Sequence, residues 1–110
     1  MKGDHVGEFE ELVLLAVHGL GPEAYSVTVQ HLLERETTRS VSLGAVYAAL
    51  TRLEAKGLLV SEVVEGEAVR GGRSRRAFAL TTSGTRTLTS LRSVRERLYR
   101  AGTRPTKVRT

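Results

Sequence analysis

The sequence predicts a mainly α fold with a small β-hairpin, an α+β class, on three observations. Residues 41–57 repeat apolar side chains at the three-and-four spacing of a helix with one buried face. Residues 58–65 (LLVSEVVE) and 76–81 (RAFALT) are β-branched or alternating, and the stretch between them, 66–75 (GEAVRGGRSR), supplies glycines for a turn and arginines for its tip. Residues 82–100 carry a narrow apolar seam at helical spacing. A helix that runs straight into a hairpin, behind two earlier helices, is the order that a winged helix-turn-helix needs.

Taken in order, residues 1–7 read as a disordered lead. Over 8–20, Phe9, Leu12, Val13, Ala16 and Val17 share one helical face, and Glu8, Glu10 and Glu11 fall in the first turn, where the helix dipole favours acids. Leu14 and Leu15 are left over, so this stripe is wider than one face and is expected to touch a second partner besides its own core. Gly19, Gly21 and Pro22 stop the helix. A second helix over 24–37 aligns Tyr25, Val29, Leu32 and Leu33 and turns Gln30, Glu34 and Arg35 outward, and 37–40 is a short connection. The third helix is expected to bury Leu43, Val46, Tyr47, Leu50 and Leu53 while its other face carries Ser42, Ala45, Ala48, Ala49, Arg52 and Lys56. Ser42 is placed to cap it, and Gly57 to end it in a left-handed conformation. The hairpin closes an expected domain over 8–81. Thr81 or Thr82 then caps a last helix over 82–100, whose seam is Leu88, Leu91, Val94 and Leu98 with Tyr99 beside it, and residues 101–110 read as a basic disordered tail.

Charge is distributed unevenly. Of the 17 Lys+Arg and 12 Asp+Glu, residues 1–69 hold five basic and eleven acidic, whereas residues 70–110 hold twelve basic and one acid, Glu96. A solubilising surface mixes the signs, so this separation points to a polyanionic partner. With 110 residues and 40% hydrophobic content there is room for one small domain, helped by oligomerisation. The chain has no cysteine, hence no disulfide framework or thiolate metal site, no apolar run long enough to span a membrane and no signal-peptide pattern, which predicts a cytoplasmic protein. His5, His18 and His31 share no metal-ligand spacing, the Glu10–Glu11 pair is explained by the helix dipole, and no phosphate loop or nucleophile elbow is present. The expectation is therefore no enzyme, no metal and no cofactor.

The reading that absorbs these features is binding of double-stranded DNA. Ser42, Gly44, Ala45, Ala48 and Ala49 would line a small-residue side of the third helix able to meet thymine methyls, with Arg52 and Lys56 placed for phosphates and Arg39, just before the helix, within reach of another. Gly44 in a helix costs about 1 kcal/mol relative to alanine, which either close approach to DNA or tolerance near a helix start accounts for. Arg73, Arg75 and Arg76 would grip the backbone or minor groove, although strand alternation sends Arg75 and Arg76 to opposite sides. Two other readings fit the fold: a winged-helix protein-interaction module, and a charge-driven, non-specific nucleic-acid binder.

Several elements resemble the PadR-like family of transcriptional regulators over roughly residues 8–100. They are Gly21-Pro22, Ala24-Tyr25, the block from Val41-Ser42 to Gly57-Leu58, Gly72-Arg73-Ser74-Arg75, and Leu80-Thr81 with Gly84. The chain departs from the family pattern at Ala24, Leu43, Ala45, Ala48 and Ser74. Ala45 stands where a threonine is common, so no operator sequence carries over. The resemblance implies a phosphate contact from the Tyr47 hydroxyl and a C-terminal helix that dimerises. By periodicity alone the last helix fits either a fold back onto its own domain or a partner helix; a homodimer would join Leu88, Leu91, Val94, Leu98 and Tyr99 of one subunit to the first helix of the other, where Leu14 and Leu15 receive them. Arg86, Arg92, Arg95, Arg97 and Arg100 would complement the acidic turn of that helix. Such a dimer implies an inverted-repeat operator and, as the commoner mode for so small a chain, repression. Family members often sense small molecules near the dimer interface; without tryptophan, a flat-aromatic sandwich is not expected here, any effector is unidentified, and a ligand-free regulator governed by its own abundance is equally open.

Overall fold

The computed structural model describes residues 5–66 and 74–102. Their order is α1 (Glu8–Leu20), a 3-10 turn (Gly21–Glu23), α2 (Ser26–Glu36), α3 (Leu43–Ala55), β1 (Leu59–Val64), β2 (Arg75–Leu80) and α4 (Thr82–Ala101). The expected α+β class is observed. Residues 1–4 of the expected lead, the tip of the hairpin and the tail from 103 onward lie outside the described residues.

Local chemistry sets the boundaries. Glu10 accepts the Gly7 N–H at 3.2 Å and Thr28 accepts the Tyr25 N–H at 2.9 Å, each satisfying a donor before the first turn of α1 and α2. Ser42 Oγ accepts the Ala45 N–H at 3.0 Å, the cap expected for α3. Gly57, at φ 79°, takes the left-handed conformation after α3 that releases the chain into the hairpin. Thr81 resolves the cap of α4, accepting the Gly84 N–H at 2.9 Å while donating to the Gly57 carbonyl at 2.7 Å.

α1, α2 and α3 surround one core whose fully buried members include Val13, Leu14, Val29, Val46, Leu50 and Leu53. The hairpin closes it from the side. β1 and β2 are antiparallel, with Leu59 opposite Leu80 and Val64 opposite Arg75; Phe78 points into the core, and its N–H donates to the Ala24 carbonyl at 2.9 Å.

The buried face of α3 differs from the expected one. Val46, Ala49, Leu50 and Leu53 are buried, while Leu43 and Tyr47 are about half exposed. Both stripes satisfy helical spacing; Ala49 belongs inside because a small side chain lets α3 pack closely on its neighbours. In α1, Leu14 is completely buried in the chain's own core, so it is not available to a second copy, and only Leu15 of that pair remains partly exposed. Among the described residues no helix is long and apolar enough to cross a membrane.

Candidate nucleic-acid interface

α2 and α3 form the helix-turn-helix, and α2 side chains hold its turn. Gln30 Nε2 donates to the Val41 carbonyl at 2.8 Å and Glu34 Oε2 accepts the Val41 N–H at 3.0 Å, so both backbone groups of the residue before the cap are satisfied. The sequence showed these two residues only as outward polar positions. Their partners lie seven and eleven residues away, beyond any local pattern.

With its buried side fixed, α3 turns Ser42, Leu43, Gly44, Ala45, Tyr47, Ala48, Thr51 and Arg52 outward. Gly44, Ala48 and Arg52 form one row at four-residue spacing, with Ala45 beside it. A Cβ at Gly44 would meet nothing within 4 Å, so the domain itself does not require glycine there. Ala49 is removed from the expected DNA-contacting set by its burial. Thr51 returns its hydroxyl to the Tyr47 and Ala48 carbonyls. The resulting surface is shallow and lacks carboxylates, which suits entry into a groove lined by phosphates.

The cations around α3 are tied to α1. Glu10 receives Arg52 Nε at 2.7 Å on one oxygen and Lys56 Nζ at 2.8 Å on the other, and Lys56 also donates to the His5 carbonyl at 2.5 Å. Arg39 forms two bonds to Glu8, at 2.8 and 3.3 Å, with its guanidinium 5.7 Å from the Phe9 ring centroid. Lys56, mostly covered and doubly bonded, braces α3 against α1 and does not reach outward as a phosphate contact. Arg52 keeps 54% of its side chain exposed, and Arg39 43%, so both can meet an anion while held at one edge.

On the hairpin, Arg75 and Arg76 leave β2 in opposite directions. Arg75 stacks over the Tyr25 ring with 4.4 Å to the centroid, whereas Arg76 donates to Ser61 Oγ at 3.0 Å, which in turn donates to Glu54 of α3 at 2.9 Å. Arg73 lies outside the described residues.

The acidic first turn of α1 does more than complement the dipole. Burial raises the Glu10 carboxyl, but hydrogen bonds from Arg52, Lys56 and the Gly7 N–H outweigh it and bring it from 4.5 down to about 2. Glu11 is also lowered, by its hydrogen bonds from Arg95 against the opposing effect of burial. A carboxylate depressed in the fold stabilises it fully above its unfolded pKa, and that contribution is lost as pH falls through the folded value. Acidification from pH 4.5 towards 2 is therefore expected to lower the melting temperature progressively, and Glu10→Gln to flatten that dependence by lowering stability at the upper end. Melting curves followed by circular dichroism check this; parallel curves for the two proteins would remove Glu10 as a source.

The residues expected at a dimer contact are divided. Leu88 is buried within its own chain and Leu91 half-buried, while Leu15, Val94, Leu98 and Tyr99 are exposed, the last two by 68% and 77%. Arg95 forms a two-pronged bond to Glu11 of the same chain, Nε at 2.6 Å from Oε2 with Nη2 on Oε1, so this complement to the acidic turn is made within one chain. An open groove of about 530 Å³ between the end of α1 and the hairpin is lined by Val17, His18, Pro22, Val60, Phe78 and Leu80 among others. Among the described residues no cluster of three His, Cys, Asp or Glu side chains is placed to hold a metal ion.

Comparison with known proteins bears on this arrangement. The model of the transcriptional regulator PadR-like family matches residues 14–90. A protein of Mycobacterium tuberculosis named as a transcriptional regulator is 40% identical over 83 residues, 76% of this chain and 73% of that protein. Among solved structures, a PadR-like transcription factor from Bacteroides fragilis superposes with a TM-score of 0.71 at 27% identity, covering 86% of each chain. A PadR family regulator from Clostridium difficile reaches 0.73 over 86% of this chain and 94% of its own; at 21% identity that likeness speaks for the fold.

Proposed function

This chain belongs to the PadR-like family of transcriptional regulators, and from that premise we propose that it binds double-stranded DNA sequence-specifically as a homodimeric repressor, on an inverted-repeat operator. One observation carries the reading: α3 is capped by Ser42, locked to α1 and α2 on its buried side, and open along Leu43, Gly44, Ala45, Tyr47 and Ala48. A helix so held and so shallow can lie in a major groove, its methyl-bearing residues against thymine methyls and base edges.

Charge supports the same orientation. Arg39 and Arg52 flank the two ends of the α3 surface, and Arg75 and Arg76 lie at the turn end of the hairpin, opposite Val64 and Val63, an arrangement suited to phosphates on either side of a groove. The homodimer draws on Val94, Leu98 and Tyr99, apolar side chains that one chain leaves in solvent along one helix. A two-fold pairing through α4 would place two α3 helices on successive major-groove faces about one helical turn apart. We place this regulator in the cytoplasm.

The test is selection of binding sites from a random duplex library at near-physiological salt, followed by titration of the enriched and a scrambled duplex. An enriched inverted repeat bound at least about a thousandfold more tightly than the scramble is the expected result for a specific binder. Equal affinities with a steep salt dependence would replace it with charge-driven binding, and no binding to either duplex would favour a protein-interaction module.

A further inference from the structure

The long helix α4 is joined to the rest of the chain unevenly. Its first turns are seated: Gly84 and Leu88 are buried and Leu91 is half-buried. From residue 92 to 102 every residue is exposed. Within that outer stretch, Arg95 crosses to α1 and grips both oxygens of Glu11. The Glu11 side chain is 10% exposed, and its two oxygens both take hydrogen bonds from the one guanidinium fork. Isolated surface ion pairs contribute little because two mobile side chains must be ordered. Here one partner is mostly buried and the geometry is bidentate.

We propose that the Glu11–Arg95 pair sets the angle at which α4 leaves the winged helix, and thereby the separation of half-sites that the DNA-bound dimer accepts. This rests on the dimeric DNA-binding reading above. At 1.5 Å per residue, Leu98 stands about 20 Å along α4 from Gly84. A pivot of about 10° at the seated end would carry it by roughly 3–4 Å, close to the rise of one base pair. Because the two-fold repeats the pivot in both subunits, a small angular change is doubled in the distance between the two α3 helices. Arg95 is thus a positioning residue: it acts on DNA spacing from the face of α4 that meets α1, without touching DNA.

The experiment uses the full chain and duplexes carrying the half-site enriched by the wild-type protein, inverted, with the spacer varied in single base-pair steps. Wild-type protein is expected to favour one spacer by about tenfold over its neighbours, whereas Glu11→Gln and Arg95→Gln reduce that preference to about threefold or less, the scale of a single lost coupling. Dimer mass by light scattering and binding to an isolated half-site should stay as in wild type. Exchanging the charges, Glu11→Arg with Arg95→Glu, should restore a narrow preference. An unchanged spacer profile in both single variants overturns the assignment. So does a loss of dimer mass or half-site binding, which would make the pair a plain folding contact, or a charge exchange that leaves the profile broad. If wild-type protein enriches no inverted repeat, the dimeric reading fails first, before any variant is compared.

Discussion

Gly84→Ala lowers the stability of the folded chain by about 2–3 kcal/mol in our expectation, the range for forcing a methyl group into filled space, and the melting temperature by roughly 10–20 °C for a domain of this size. A Cβ at Gly84 would sit 2.0 Å from the carbonyl oxygen of Leu58 and 3.0 Å from its carbon. These are backbone atoms and cannot rotate aside. The same carbonyl accepts the Thr81 N–H at 3.1 Å, and the Leu58 N–H donates to Leu53 at the end of α3 at 3.0 Å. Relief of the clash therefore displaces the junction where α3, β1 and the start of α4 meet. The need for glycine here is one of space, unlike Gly57, whose φ of 79° calls for glycine on conformational grounds. Thermal melts at matched protein concentration decide it, since the midpoint of the proposed dimer would depend on concentration. A melting temperature within a few degrees of wild type would mean that the junction yields.

That junction shows what a sequence carries and what it omits. The helix starts and stops are legible because their causes are local: Ser42 and Thr81 cap the next turn, and Gly57 sits two residues past the end of α3. Gly84 could be matched to a motif, but its cause, the Leu58 carbonyl, lies 26 positions earlier in the chain. The choice between stripes on α3 failed for a related reason. Periodicity gave Leu43 and Tyr47 as good a claim to the core as Ala49, and only the close approach of the neighbouring helices selects the small residue. Leu14 and Leu15 posed the same ambiguity on α1. The acidic turn suits a helix N-terminus, yet Glu10 also reaches partners 42 and 46 residues away that no window along the sequence relates, and the arginine complement expected from a second subunit is made by Arg95 to Glu11 within one chain. Of the small residues expected to face outward, Gly44, Ala45 and Ala48 do and Ala49 does not, because an alanine can serve either a close helix contact or an open surface.

Ala48→Glu is expected to weaken binding of the enriched operator by at least about a hundredfold, roughly 2.7 kcal/mol, while leaving the melting temperature within a few degrees of wild type. Ala48 is exposed, and glutamate is a good helix former, so α3 should fold with the substitution in place. The introduced carboxylate would stand in the row of Gly44 and Arg52, where α3 is proposed to meet a surface lined by phosphates and base-edge acceptors. Like charges brought together at a desolvated contact cost several kcal/mol. It would also lie one turn before Arg52 and compete with a phosphate for that guanidinium. Ala48→Gln separates these effects from bulk, because it fills nearly the same volume without the charge and should retain an intermediate affinity. Fluorescence anisotropy with the labelled operator at fixed salt, repeated with the scrambled duplex, measures all three proteins. Operator affinity unchanged in both variants would mean that this face of α3 does not enter the groove.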